Sequence, residues 1–267
     1  ERSRGLGDVY KRQVYGIAEM REAESLMSEI IEAAKVQELP IDGLVTEFSP
    51  SQFEINLQHQ SCALTACDQS SMLKRLIKSI ANKNNCQATF MAKPFDSQVG
   101  NGMHLHVSVL DESGENIFNN GTDAGSKILE NAVAGCLKHM KDGMAIFAPN
   151  INSYRRFAPG CYAPLSPSWG YENRTTAIRI PAGDVSSIRI EHRVSGADAN
   201  PYLVAATILA SALDGIKNKL EPTKAIVGDR SKHSEQLPRF WEESLNIFND
   251  STVSYTHLRA HETSQNL

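Results

Sequence analysis

GNGMHLHVSV, residues 100–109, alternates along its length: His104, His106 and Ser108 fall on one side, Met103, Leu105, Val107 and Val109 on the other. A strand sends successive side chains to opposite faces, so a strand here collects two imidazoles and a hydroxyl on one face. The device recurs. In SQFEINL (51–57), Gln52, Glu54 and Asn56 oppose Phe53, Ile55 and Leu57; in SIRIEHRV (187–194), Arg189, Glu191 and Arg193 oppose Ile188, Ile190 and His192. TAIRIP (176–181) adds Arg179. Any one such strand reads more readily as the wet side of a sheet. Three together, carrying His, Glu and Arg, hold the residue types that grip metals, phosphates and carboxylates.

The surrounding pattern supplies helices to cover such strands. Ala23, Leu26, Met27, Ile30, Ile31 and Ala34 recur at helical spacing, which predicts a helix over 20–38 ended by Pro40. Strands are expected over 44–47, 52–57, 87–92, 176–180 and 187–194. A second helix is expected to be capped near Asp68 or Ser70, a third to run over 126–140, and a last one over 238–248. Asn200-Pro201 opens an apolar helix to about Lys219 that reads as core on every side. Residues 148–174, rich in Pro, Asn, Gly, Arg and Tyr, read as a long functional loop. Strands interleaved with helices predict an α+β fold: a mixed, mainly antiparallel curved sheet covered by helices.

The bulk properties exclude some classes. With 267 residues, 41% hydrophobic, 22% charged and a net charge of −4, the chain shows no basic stripe for nucleic acid. Its longest apolar run, Tyr202 to Leu213, is too short for a bilayer, and no signal peptide is evident. Five cysteines with no Cys-x-x-Cys pair favour reduced thiols and a cytoplasmic location. Residues 1–13 and 253–267 have no period and read as non-native extensions around a natural segment at 14–252.

Glu47, Glu54, His104 and Glu191 are oxygen donors with one imidazole, a set that suits Mg²⁺ or Mn²⁺ better than zinc. Arg156, Arg174, Arg179, Arg189 and Arg193 outnumber the carboxylates, and guanidinium forks hold phosphate and carboxylate at two points. Together they suit a metal-bound polyphosphate beside an acidic substrate, the setting of phosphoryl transfer. No Walker-type loop is present, and Gly100-Asn101-Gly102 leads into a strand.

TEFSPSQFEINL (46–57), GNGMHLHVS (100–108), NSYRRFAPG (152–160), ENRTTAIRIP (172–181) and RIEHRVSGADANPYL (189–203) resemble, in order, the motifs of the glutamine synthetase family. The resemblance implies that family's catalytic-domain fold without its N-terminal part. It implies ATP as co-substrate with Mg²⁺ or Mn²⁺, L-glutamate as the acid, and a ring-shaped homo-oligomer at full length. Glu47 and Glu54 match carboxylates of one metal site, His104 and Glu191 ligands of a second. His106, Ser108 and Arg189 match nucleotide contacts, and Arg174 and Arg179 match arginines on the phosphates. Arg156 and Arg193 match arginines that hold glutamate, Arg193 also lying near the transferring phosphoryl group. Gly100 matches a glycine whose backbone meets the glutamate.

Two departures stand out. Where ammonia-using members carry a Glu after NSY-x-R-x-x-P-G, this chain has Tyr162, and Val99 replaces the Asn often found before Gly100. A phenol is neutral at pH 7, so it neither attracts ammonium nor takes its proton readily. Both changes resemble the γ-glutamylpolyamine and γ-glutamylputrescine synthetases, which implies an alkylamine or polyamine acceptor. An ammonia-dependent synthetase and a non-catalytic structural or regulatory relative are the alternatives. The family's early Glu-x-Glu strand does not precede Glu47, so this segment by itself is expected to be inactive. Outside the motifs, His59, His139 and His233 read as surface or loop residues, and Cys161 has no paired histidine for a nucleophilic role. Trp169 and Met103 read as packing, and Asp198 and Asn200 as a brace for the turn at Pro201.

Overall fold

A computed structural model describes residues 20–21, 23–158, 160–228 and 236–251. The expected terminal extensions, with His257 and His261, and also His233, lie outside them. The chain divides between Phe90 and Met91 into two compact units.

In the first unit, helix α1 (Glu24–Val36), strands β1 (Ile41–Thr46) and β2 (Phe53–Leu57), and helix α2 (Ala63–Lys83) follow in order. β1 and β2 pair antiparallel, Val45 opposite Glu54 and Thr46 opposite Phe53. Met27, Ile30 and Ala34 of α1 and Leu73 and Leu76 of α2 form a small core, against which Phe53, Ile55 and Leu57 pack. α2 begins at Ala63, upstream of the expected cap. Ala63 to Ala66 are helix-compatible, and Ser71 returns its hydroxyl to the Cys67 carbonyl, so polar residues at 68–71 do not interrupt the helix.

The second unit holds a four-stranded sheet in the order β3 (Leu105–Val107), β6 (Ile190–His192), β5 (Ile178–Ile180), β4 (Trp169–Tyr171). Its first three strands run antiparallel and β4 pairs parallel with β5. Pairing outlasts the ladder: Gly102 bridges Gly196, and the Met103 N–H donates to the Ser195 carbonyl. Residues 87–92 are not a strand. Their end is held instead by Asn101, whose backbone N–H donates to Ala92 O and whose side chain donates to Met91 O.

The described residues of this unit also form helices α3 (Lys127–Lys138), α4 (Met144–Phe147), α5 (Ile151–Tyr154), α6 (Pro201–Lys217) and α7 (Trp241–Asp250). Three of these starts, those of α3, α5 and α6, follow from their capping residues. Ser126 accepts from Leu129 N–H, Asn150 and Ser153 form a reciprocal box, and Asn200 accepts from Tyr202 and Leu203 N–H before Pro201. The long loop therefore contains α5 and β4.

One core lies beneath the sheet, with Ile178, Ile180 and Ile190 meeting Phe118, Phe147 and Leu129. Each such buried side chain is worth roughly 1.5–3 kcal/mol. α3 and α6 cross at glycine: a β-carbon on Gly135 would stand 2.1 Å from Ser211 O. α6 is not core on every side. Val204, Ile208 and Ala212 are buried, while Leu203, Leu209 and Leu213 remain exposed, because only one face of the helix packs.

His139 is also not a surface residue. It ends α3, is buried, and places Nδ1 3.2 Å from Asp142 Oδ2 and Nε2 2.8 Å from Asp214 Oδ2. Burial opposes the charge on its ring, but the two carboxylates outweigh that and raise its pKa. Its neighbours in sequence offered no hint of this, since Asp214 arrives from α6, 75 residues away.

Candidate active site

The register of the four-stranded sheet sets a polar row across its open face. His106 stands opposite Glu191, Glu191 opposite Arg179, and Arg179 opposite Gly170. The row behind it, Leu105, His192, Ile178 and Trp169, turns into the core, where the His192 ring packs tilted against Phe147, their centroids 4.8 Å apart. Alternation thus brings together the imidazole, carboxylate and guanidinium residues that the three motifs carry separately.

Glu191 is the hub. One carboxylate oxygen lies 3.3 Å from His104 Nδ1 and accepts from Arg193 Nε at 3.3 Å; the other accepts from Arg179 Nη1 at 2.9 Å. Burial opposes its charge, yet the His104 hydrogen bond and the Arg193 charge hold it well below the ordinary carboxylate range. Arg179 also reaches Glu172, which accepts the Ala182 N–H as well. Arg193 donates to the carbonyls of Arg174 and Thr176, so the backbone of the Arg174 loop orients it. The Arg174 side chain itself is exposed at the rim.

Arg189 donates through Nε to His106 Nδ1 at 3.0 Å. That nitrogen must then be an acceptor, which leaves a neutral ring with its proton on Nε2. Burial, with the charges of Arg189 and Arg179, pushes His106 down to about 4, in keeping with a neutral ring. Ser108 continues the alternation just past β3 and is half-buried.

Arg156 is buried and donates Nη1 to Val194 O at 3.0 Å. Burial lowers it to about 10 while Asp198 opposes the loss of charge. Gly100 presses on its stem, since a β-carbon there would come 2.6 Å from Arg156 Cγ and 2.5 Å from Ala92 O. Only glycine lets the two approach, and the motifs of residues 100–108 and 152–160 meet at that point. Asp198 does more than brace a turn: its Oδ2 accepts from Ser153 Oγ at 2.6 Å and Asn150 Nδ2 at 2.8 Å, tying α5 to the start of α6. Asn152, between them, holds both backbone groups of Lys93.

The donors available to a divalent cation can be judged unit by unit. A histidine ligand usually passes its second N–H to a carboxylate, and with His104 Nδ1 beside Glu191 the nitrogen that could take a cation is Nε2. Gly102 makes room there, a β-carbon on it lying 3.3 Å from that nitrogen. In the first unit, Glu47 follows β1 and donates its N–H to Gln52 O, so Glu47 and Glu54 share one face of the hairpin. Carboxylate oxygens with a single imidazole fit Mg²⁺ or Mn²⁺. Among the described residues no group of three or more His, Cys, Asp or Glu stands close enough to form a complete shell, so these are pairs that need further donors.

Tyr162 occupies an exposed loop with a left-handed backbone (φ 57°), an unusual conformation for an aromatic residue. The preceding Cys161 lies 3.2 Å from the ammonium nitrogen of Lys93. Sequence reasoning missed Glu172, Lys93 and Arg193's carbonyl cradle. Glu172 sits in a quoted motif with Arg174 and Arg179, which was a usable signal. Lys93 lies in FMAKPF with no polar period to mark it.

The glutamine synthetase catalytic-domain family matches residues 3–264 of the chain. The chain belongs to the glutamine synthetase family. A γ-glutamylputrescine synthetase, PuuA, of Escherichia coli is 46% identical over 85% of this chain and 48% of its own length. A glutamate–isopropylamine ligase of a Pseudomonas species is 37% identical over 90% of this chain and 53% of its own. A solved GmaS/ADP complex superposes with a TM-score of 0.84 at 28% identity, covering 95% of this chain and 63% of that one. The α+β glutamine synthetase catalytic-domain fold is therefore that of this family member. It spans about half the length of these curated relatives.

Proposed function

We propose that the protein containing this chain is an ATP- and Mg²⁺- or Mn²⁺-dependent ligase that joins L-glutamate to an alkylamine through its γ-carboxylate. The supporting observation is the polar row His106–Glu191–Arg179, flanked by Arg193, in one sheet. In this reading Arg156 and Arg193 hold the glutamate, with the Gly100 backbone against it. Arg174 and Arg179 offset charge on the phosphates, and His106, Ser108 and Arg189 face the nucleotide. His104 with Glu191, and Glu47 with Glu54, contribute to two metal sites whose cations would neutralise the polyphosphate. The γ-carboxylate oxygen attacks the terminal phosphorus of ATP and ADP leaves. The amine nitrogen then attacks the acyl carbon, the C–O bond to phosphate breaks, and an amide forms with loss of the amine's proton.

Tyr162 favours an organic amine over ammonium, since no carboxylate stands at that loop position to attract a small cation. Two relatives named for putrescine and isopropylamine products or substrates support the same reading. Among the described residues no helix is long and apolar enough to cross a membrane. The five free cysteines suit a reducing, cytoplasmic setting, and the family resemblance suggests a ring-shaped homo-oligomer. A full-length version should release ADP in the presence of glutamate, with putrescine or isopropylamine stimulating more than ammonium. Stronger stimulation by ammonium overturns the acceptor; no glutamate-dependent release overturns the ligase.

A further inference from the structure

Lys93 and Cys161 meet in the second unit. The Lys93 side chain is 5% exposed, and its Nζ donates to Gln98 O and to Cys161 Sγ, the latter at 3.2 Å. Its backbone cannot drift, because Asn152 accepts the Lys93 N–H at 2.9 Å and donates to the Lys93 carbonyl at 2.9 Å. Cys161 is anchored through its own N–H to Ala158 O, and it is half-buried, so a small oxidant can reach the sulfur. A primary amine is thus held against a thiol of intermediate exposure from two directions. Cys136, by contrast, is buried and pushed up to about 12 by burial, and Cys67 is buried and raised for the same reason. Cys62 and Cys86 are exposed.

We propose that Cys161 and Lys93 form a peroxide-driven covalent link, a reversible sulfenamide that ties the Tyr162 loop to the segment leading into Gly100. The sulfur attacks hydrogen peroxide, the O–O bond breaks, water leaves, and Cys161 becomes a sulfenic acid, oxidised by two electrons. The Lys93 nitrogen then attacks that sulfur. An S–N bond forms, the S–O bond breaks, and the hydroxyl leaves as water with a proton from the amine; if the amine began as ammonium, its extra proton goes to solvent. The pair loses two hydrogens and one peroxide yields two waters. A sulfenic acid is known to condense with a neighbouring nitrogen in this way, and proximity here replaces a collision with a fixed contact. A thiol reductant reverses it by attacking the sulfur and releasing the amine. The two residues sit one position before Tyr162 and seven before Gly100, so the bond would fix the spacing between these two segments. The linkage itself does not depend on the ligase reading.

The test treats the full chain with hydrogen peroxide, then maps tryptic peptides by mass. The expected product joins the Lys93 peptide to the Cys161 peptide at their summed mass less two hydrogens. Dithiothreitol should remove it, and both Lys93→Arg and Cys161→Ser should abolish it. Cys161→Ser keeps a hydrogen-bond acceptor, so it serves if Lys93→Arg fails to fold. Oxidation of Cys161 to sulfinic acid or a disulfide without a Lys93 link overturns the proposal. So does a link that persists in Lys93→Arg, or one heavier by an oxygen atom.

Discussion

His139→Ala removes a ring that grips two helices and a turn at once. In the native protein its nitrogens lie 3.2 Å and 2.8 Å from Asp142 and Asp214, and the side chain is 7% exposed. Only the imidazolium can donate at both nitrogens, so full strength requires the charged ring. Lys138 Nζ faces the same Asp214 at 3.1 Å, and Ser251 donates to Asp142 at 2.9 Å, so neither carboxylate is orphaned by the substitution. Two charge-assisted hydrogen bonds at about 1.5–3 kcal/mol each, less the burial of the charge, put the loss at roughly 3 kcal/mol at pH 6.

The pH dependence has a definite sign. The folded-state pKa is raised, so the contribution is fully present below the unfolded value and fades as pH rises through the folded one. Urea unfolding of native and variant chains, followed by far-UV circular dichroism, should show the gap narrowing to roughly 1 kcal/mol at pH 9, where a neutral ring donates only once. Comparing the two chains at each pH cancels other titrations. A gap that is constant, or wider at pH 9, refutes the charged clamp.

Further outcomes follow from the site and the core. Glu191→Gln in a full-length version should lower metal-dependent turnover by orders of magnitude and leave Arg179 and Arg193 without their shared carboxylate; near-native turnover would dismiss Glu191 as a ligand. Tyr162→Glu should raise the ammonium-to-putrescine ratio of ADP release, and an unchanged ratio would remove Tyr162 from acceptor choice. Gly135→Val should destabilise by at least about 2 kcal/mol, since its β-carbon meets Ser211 O at 2.1 Å and the Gly215 backbone; a denaturation midpoint equal to native would show that the helices can part.

Much of the sheet was legible because alternation is a local signal. His106, Glu191 and Arg179 reveal their common face from period alone, and the register then makes them neighbours. Helix α3 was legible to within about two residues, since Ser126 caps it and Lys138 closes it. Three features depended on distant partners and left no local trace. His139 looks like a surface residue until α6 supplies Asp214. Lys93 looks unremarkable until Asn152 and Cys161 close on it. α6 reads as wholly apolar, and only the packing of α3 decides which side is covered. The proposed metal donors, Glu47, Glu54, His104 and Glu191, are readable only as residue types, because how donors converge on a cation is not a property of any one stretch.

The glycine crossing of α3 and α6 has a dynamic consequence. A Gly135 β-carbon would also lie 2.7 Å from Gly215 N, so the two main chains are in van der Waals contact with no side chain between them to act as a bearing. Sliding or rotation of one helix against the other would have to lift both backbones apart. Amide hydrogens around Gly135 and Gly215 should therefore exchange with solvent at a shared rate, opening in a single event rather than one helix at a time.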